Sequence, residues 1–293
     1  MENNKRVFVF GCSMVNYCWP TWADILGRSL HNQGYEYYNL GIAGTGNRAI
    51  TSTLYRAKHE FAFTDQDIII VMWSSWNRED RYLPVKRNPE QGFYWTVEGN
   101  VLNSAHYDDD FILKHWSLEN DIIQNIISIK SARSLVDFAF EGSIDLYEHG
   151  LTESESDLDP LLGLFCDVKL PNTMPQLCDI PVPEHPVNRA DGHPSLPAAM
   201  WYLDNIVLPA MGIELDNETI RWVRSTDKFI EELCNSGLDW PIIQDKLTEF
   251  HLADMKTYRM DLSSQDLWSS WGDGVEEFLI SFLQETYNHK WVR

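Results

Sequence analysis

The feature that most constrains this chain is the alternation of short apolar runs with amphipathic segments between residues 6 and 73. β-Branched and aromatic residues predict strands at Arg6–Phe10, Tyr35–Leu40 and Asp67–Trp73. Apolar residues at helical spacing predict helices between them, at Thr21–Gln33 and Asn47–His59. Strands that are apolar on both faces are typical of buried parallel sheets. This βαβαβ order predicts an α/β protein, a flavodoxin-like three-layer α/β/α sandwich around a parallel sheet.

Patterning along the rest of the chain divides it into two predicted parts. Residues 1–211 form the α/β domain, and residues 212–293 form a helical C-terminal appendage. Two insertions interrupt the α/β domain. Residues 78–110 lose the apolar periodicity, and residues 141–190 are first acidic and then rich in proline, which discourages regular elements.

Weaker periodic patterns predict further elements beyond residue 78. Ser195 is expected to cap a helix that tolerates Pro197 in its first turn and anchors the residues before it. The remaining predictions are a hairpin around Phe93 to Leu102, a helix near Phe111 to Lys130, a strand at Leu135 to Phe140, and C-terminal helices at Glu218–Cys234, Trp240–Met255 and Gly274–Tyr287.

Composition excludes several classes of partner. The 44 acidic and 23 basic residues give a formal charge of −21, which repels nucleic acid and anionic membrane surfaces. No apolar run reaches the roughly 20 residues that cross a bilayer, and no signal-peptide pattern opens the chain. The five cysteines lack CxxC spacing, so neither a disulfide framework nor a thiolate zinc site is expected. A cytoplasmic protein of undetermined oligomeric state, without membrane or nucleic-acid partners, is therefore predicted.

Polar residues with catalytic potential follow the predicted strands. Ser13 follows the first strand, Gly44 lies in the glycine-rich turn after the second, and Asn77 follows the third. Because the carboxyl ends of parallel strands meet at one edge of a sheet, these three loops are expected to converge. Farther along the chain, Asp191 and His193 supply a carboxylate and an imidazole. A hydroxyl, an imidazole and a carboxylate are the components of a nucleophilic triad.

The same residues carry a resemblance to the SGNH (GDSL-type) hydrolase superfamily, spread over the first two hundred residues. Gly11-Cys12-Ser13 is similar to the family's Gly-Asp-Ser, with Cys12 in place of the aspartate. The second glycine of Asn39-Leu40-Gly41-Ile42-Ala43-Gly44 matches the oxyanion-hole glycine, and Asn77 is the best match to the third block. Asp191-Gly192-His193 resembles the last block, with the Asp-x-His spacing of the alginate-acetyltransferase-like branch.

The resemblance implies a serine esterase that needs no metal and no cofactor. Ser13 would be the nucleophile, His193 the general base, and Asp191 the group that orients His193. The amides of Ser13 and Gly44 and the side chain of Asn77 would hold the oxyanion. The expected substrate is a small-molecule or glycan ester with an O-acyl group, such as O-acetyl, cleaved through an acyl-enzyme.

Two further functions remain open at this stage. An O-acyltransferase would use the same triad and pass the acyl group to a sugar hydroxyl. A binding or structural protein would keep the fold without catalysis, and the chain resembles SGNH-like products of tailed phages, which would suggest a virion-associated role.

Two motif assignments also have alternatives. Ser74, Ser75 or Asn47 could replace Asn77 as the oxyanion donor. The run Gly44-x-Gly46-x-x-Ala49 fits a dinucleotide fingerprint, but it follows the second strand instead of the first, and no acidic residue ends the next strand. Cofactor binding is therefore the less favoured reading of these glycines.

Overall fold

The computed structural model describes residues 5–75, 78–88, 92–98, 109–144, 172–175 and 179–260. Its strands are β1 (Arg6–Phe10), β2 (Glu36–Asn39), β3 (Ile68–Trp73), β4 (Arg81–Asn88), β5 (Gly92–Glu98), β6 (Phe140–Ile144) and β7 (Thr173–Met174). Its helices are α1 (Trp22–Asn32), α2 (Asn47–Phe61), α3 (Asp109–His115), α4 (Leu118–Leu135), α5 (Pro186–Ala190), α6 (Leu196–Tyr202), α7 (Leu208–Met211), α8 (Asn217–Cys234) and α9 (Trp240–Met255). A π-helical segment, Leu203–Val207, joins α6 to α7.

A five-stranded parallel sheet organises the molecule, with strand order β2-β1-β3-β6-β7. The first strand therefore lies between the second and the third, which is the flavodoxin-like order that the sequence predicts. Strands β4 and β5 form a separate antiparallel pair within the first predicted insertion. The α/β prediction and the parallel sheet are confirmed.

Both faces of the sheet are covered by helices, and the alternation of side chains along β1 shows how. Val7 and Val9 join a core that contains α1, α6 and the π-helical segment. Phe8 and Phe10 point to the opposite face and pack with α2 and α4. All four side chains are fully buried. Because a strand between two helical layers has no solvent face, β1 must be apolar at every position.

Three elements differ from the sequence prediction. The predicted helix near Phe111 to Lys130 is two helices, because the Ser117 hydroxyl accepts a hydrogen bond from the amide of Asn120 and starts α4 anew. The predicted strand at Leu135 to Phe140 is wrong in position, since α4 continues through Leu135 and β6 begins at Phe140.

The hairpin also lies earlier than Phe93 to Leu102, because its strands are β4 and β5. The proline and glycine between Asn88 and Phe93 are turn signals that the sequence prediction did not use.

Helices α8 and α9 are observed where two of the three C-terminal helices were predicted, and the third, Gly274–Tyr287, lies outside the described residues. The two-domain division stays a prediction. Val223 of α8 and Tyr258 beyond α9 belong to the same core as α1. The backbone after α9 also reaches the sheet, where the amide of Met260 donates to the carbonyl of Tyr37 over 3.0 Å.

A buried ion pair connects the residues after α9 to α1. The Arg259 guanidinium donates to Asp24, whose side chain is completely buried, and the Tyr258 hydroxyl donates to the same carboxylate over 3.2 Å. Asp24 also accepts from the amide of Thr21 at the start of α1. Burial alone would raise the pKa of Asp24, but the positive charge of Arg259 and the proximity of His251 keep it below its ordinary value.

We predict that Arg259→Met destabilises the protein by about 3–5 kcal/mol, because it leaves the buried carboxylate of Asp24 without its counter-charge. Urea unfolding measures the loss. Arg224→Met, which removes an exposed arginine from α8, serves as the control and should change stability little. Adding Asp24→Asn to Arg259→Met should restore part of the lost stability, and an unchanged unfolding midpoint in Arg259→Met would contradict the prediction.

Candidate functional site

The loop after β1 carries Ser13 in a tight turn. The amides of Val15 and Asn16 donate to the carbonyl of Cys12 over 3.0 and 3.2 Å, which closes the turn around Ser13. Val15 fills the space above Gly11, where a β-carbon would lie 2.4 Å from its methyl group. The glycine of this motif is therefore required by packing at the end of the strand.

The loop after β2 lies against the Ser13 turn. The amide of Ile42 donates to the carbonyl of Gly11 over 2.9 Å, and the Asn16 side chain donates to the carbonyl of Gly41 over 2.8 Å. Gly44 has a φ of +82°, a conformation that favours glycine. Among the residues that the structure describes, no hydrogen bond uses the amide of Ser13 or that of Gly44. Both amides are therefore free for the oxyanion role that the sequence predicts.

Asn47 joins the second and third loops to α4 through three hydrogen bonds. Its side-chain amide donates to the carbonyl of Ser74 over 3.0 Å and to the Asn125 side chain over 2.7 Å. Its side-chain oxygen accepts from the amide of Ser74 over 2.7 Å. Asn47 is completely buried. Its side-chain polar atoms are thus already hydrogen-bonded within the protein. Asn47 therefore stabilises the contact between the two loops and is a poor oxyanion donor.

Asp80 occupies the N-terminus of α2. Its carboxylate accepts from the amide of Gly46 over 2.6 Å and from the amide of Ala49 over 2.7 Å. These are the amides that a dinucleotide phosphate would use at a helix N-terminus. A carboxylate already binds them here, so the glycine pattern around Gly44 is explained without a cofactor.

Asp191 and His193 form the central pair of the site. The Nδ1 atom of His193 lies 2.5 Å from Oδ1 of Asp191, and the amide of His193 donates to the same oxygen over 2.9 Å. The Asn188 side chain donates to the carbonyl of His193 over 2.9 Å. Because Nδ1 faces the carboxylate, Nε2 is the nitrogen that is left to take up a proton.

Tyr17 holds this pair from the Ser13 loop. Its hydroxyl donates to Oδ2 of Asp191 over 2.7 Å, and its ring stacks on the imidazole of His193 with centroids 3.7 Å apart. Trp19 supports the same arrangement, because its indole packs edge-on against Tyr17 and donates to the carbonyl of Pro194 over 2.9 Å. The loop after β1 therefore binds the Asp191–His193 segment directly.

Two pKa shifts follow from this packing. Burial lowers the pKa of His193 below its ordinary value, the charge of Arg78 lowers it further, and Asp191 acts in the opposite direction. Burial would raise the pKa of Asp191, but the hydrogen bonds from Tyr17 and His193 outweigh it and the pKa is lowered. At neutral pH the site thus holds a carboxylate beside a neutral imidazole, which is the protonation state of a resting general base.

The structure brings most of the predicted residues to one edge of the sheet, but they do not all contact one another. Ser13 is 4% exposed. No hydrogen bond between the described residues connects its hydroxyl to His193. Asn77 lies outside the described residues. The assignments of nucleophile, base and oxyanion donors therefore stay predictions.

Sequence reasoning missed Tyr17, Trp19 and Arg78. Tyr17 and Trp19 make contacts with residues at least 174 positions away in the sequence. No local spacing pattern predicts such contacts. The available signal was weak: two aromatic residues follow a candidate nucleophile within one loop.

Other structural features bear on the predicted class. No described helix has the length and apolar character to cross a membrane. Over the same described ranges, no three His, Cys, Asp or Glu side chains are grouped as metal ligands. Cys12, Cys18 and Cys234 are free thiols.

No protein-family model and no curated protein matches the chain. One solved structure that resembles it is the crystal structure of TesA, with 14% sequence identity, 70% of this chain and 97% of that chain covered, and a TM-score of 0.38. The fold assignment depends on the observed strand order.

We predict that Tyr17→Phe raises the pKa of His193. Without the tyrosine hydroxyl, the Asp191 carboxylate loses a hydrogen bond and stabilises the imidazolium more strongly, while the stacked ring remains. An NMR titration of the His193 ring proton measures the shift. Tyr55→Phe, on an exposed tyrosine, is the control. A His193 pKa that falls or stays constant in Tyr17→Phe would show that the hydroxyl does not tune this pair.

Proposed function

We propose that this protein is a serine hydrolase of the SGNH type and that it cleaves an ester. Ser13 attacks the carbonyl carbon of the ester, and Nε2 of His193 takes up the serine proton. The imidazolium then returns the proton to the leaving alcohol, and an acyl group remains on Ser13. Water, activated by the same imidazole, releases the acid and restores the serine.

One observation carries this proposal: the Asp191 carboxylate contacts Nδ1 of His193, which is the geometry of an orienting carboxylate and a general base. The 2.5 Å contact fixes Nδ1, and Tyr17 and Trp19 attach the pair to the loop that contains Ser13. A surface histidine beside an aspartate would not need such support from a second segment. Here the support comes from the segment that holds the candidate nucleophile.

The loops after β1 and β2 also fit an oxyanion site. The amides of Ser13 and Gly44 are without hydrogen-bond partners among the described residues. Paired amides of this kind stabilise the charge that develops on a carbonyl oxygen during acyl transfer. The resemblance to SGNH hydrolases assigns the same two amides, so geometry and motif favour the same chemistry.

A second candidate is a binding protein that keeps the fold without catalysis. The observation that favours it is the missing hydrogen bond between Ser13 and His193. Catalytic hydrogen bonds are often long or poorly aligned before substrate binds, so this observation has two explanations. Covalent labelling separates them, because only an activated serine reacts.

We predict that a fluorophosphonate probe labels the intact protein at Ser13. The reaction requires a serine that loses its proton to a base, and Ser13→Ala should abolish it. Mass spectrometry of the digested protein locates the adduct. Ser134→Ala, on an exposed serine of α4, is the matched control and should label normally. A folded protein that stays unlabelled, or that carries the adduct elsewhere, would favour the binding protein.

We predict that hydrolysis of p-nitrophenyl acetate falls at low pH with a midpoint below about 6.5, the ordinary pKa of imidazole. The base must be neutral, and burial and Arg78 lower the pKa of His193, so activity persists to lower pH than for an unperturbed histidine. The pH dependence of kcat/KM measures the midpoint. A midpoint above 6.5 would contradict the role of His193 as the base.

A further inference from the structure

A small polar cavity lies between α2, residues 78–80 of the loop after β3, and α4. Its volume is about 80 Å³. At about 30 Å³ for each water molecule in the liquid, this is space for two or three water-sized groups. Every side chain that lines it is polar: Arg48, Arg78, Glu79, Asp80, Asn120, Asp121, Gln124 and Asn125.

Asp121 contributes a buried acceptor that lacks a partner. The residue is 1% exposed, and its Oδ2 accepts from the indole of Trp116 over 2.8 Å. Its Oδ1 is buried and has no partner within hydrogen-bond geometry among the described residues, although the Asn120 side chain lies close enough to the carboxylate to lower its pKa. Leaving a buried acceptor unsatisfied is costly. Burial raises the pKa of Asp121 to about 7, and Glu79 and Asp80 add to the increase, so the ionised form, in which Oδ1 is only an acceptor, predominates above that pH.

The charges of the lining select a neutral ligand. Three carboxylates and two guanidinium groups face the cavity, so neither a strong cation nor a strong anion is favoured. Among the described residues no group of three metal-ligand side chains is present. A hydroxyl group can donate to Asp121 and accept from an arginine or an amide at the same time. A small molecule with several hydroxyls could form hydrogen bonds with the carboxylate, amide and guanidinium groups of this lining.

Two of the residues that line the cavity contact the loops near the candidate catalytic residues. Arg78 lines it, donates to the carbonyl of Thr45, and lies near enough to His193 to lower its pKa. Asn125, on its wall, bonds to Asn47, which holds Ser74 at the carboxyl end of β3. The cavity therefore lies against the loops that follow β2 and β3.

We propose that this cavity binds the hydroxyl groups of the alcohol part of the substrate, a sugar or another polyol, with Asp121 Oδ1 as the main acceptor. The proposal rests on the proposed esterase function, and it specifies which part of the ester is recognised. Asp80 keeps its bonds to α2 and shapes the wall, while Asp121 supplies the free acceptor.

The test compares two acetate esters that differ only in the alcohol, 6-O-acetylglucose and p-nitrophenyl acetate. Asp121→Asn keeps the shape and can still accept from Trp116, but it presents an amide donor in place of the free acceptor. We expect the ratio of kcat/KM for acetylglucose to kcat/KM for p-nitrophenyl acetate to fall about tenfold or more, mainly through KM. A purely structural defect would lower both rates and leave the ratio unchanged, which would overturn the proposal.

Two further variants serve as a control and as an independent test of the cavity. Asp110→Asn removes an exposed aspartate at the surface of α3 and should leave the ratio constant. Gln124→Leu removes a polar group from the lining without touching the Trp116 hydrogen bond, and it should also lower the ratio. Should Asp121→Asn fold poorly, Gln124→Leu decides the outcome.

A binding measurement separates this proposal from the esterase proposal. Ser13→Ala is titrated with 6-O-acetylglucose by ligand-observed NMR, alone and combined with Asp121→Asn. We expect binding to Ser13→Ala and a Kd about tenfold higher in the double variant. Equal Kd values, or no binding to Ser13→Ala at millimolar ligand, would overturn the subsite. Absence of fluorophosphonate labelling would instead overturn the esterase and leave the binding result valid.

Discussion

The central position of β1 is the constraint on which the rest of the structure depends. The strand is paired on both edges and covered on both faces, so the loop that leaves it emerges in a crowded interior between two neighbouring loops. Polar groups there are cut off from water and need partners inside the protein. Asn47 and Asp80 meet this need by binding the amides and carbonyls of the second and third loops. The same crowding places Ser13 beside the glycine-rich turn.

Side chains of the loop after β1 also hold the Asp191–His193 segment in place. Tyr17 and Trp19 leave the β1 loop and reach a segment that is distant in sequence. The tyrosine uses its ring to stack on the imidazole and its hydroxyl to bind the carboxylate, so one side chain controls both orientation and charge. A side chain held by several contacts keeps one orientation, which is what a general base requires.

The sequence predicted the sheet well because buried parallel strands and amphipathic helices leave strong local patterns, and β1 matches its predicted bounds, Arg6–Phe10. It failed where a local signal was overruled, as when the Ser117 cap divided one expected helix into two. For the site, it singled out Asp191 and His193, whose pairing is local. It could not find Tyr17, because a contact across 174 residues depends on the fold and not on spacing.

The hydroxyl of Ser13 is the movable partner of the proposed triad. His193 is fixed by the stacked ring of Tyr17, by Asp191, and by the Asn188 hydrogen bond to its carbonyl. The serine hydroxyl has no hydrogen bond among the described residues, so no hydrogen bond there holds it in one staggered position. Moving the histidine would break several hydrogen bonds and a ring contact, whereas rotating the serine breaks no hydrogen bond among the described residues. If the proposed triad forms when substrate binds, the serine is therefore the side chain that rotates.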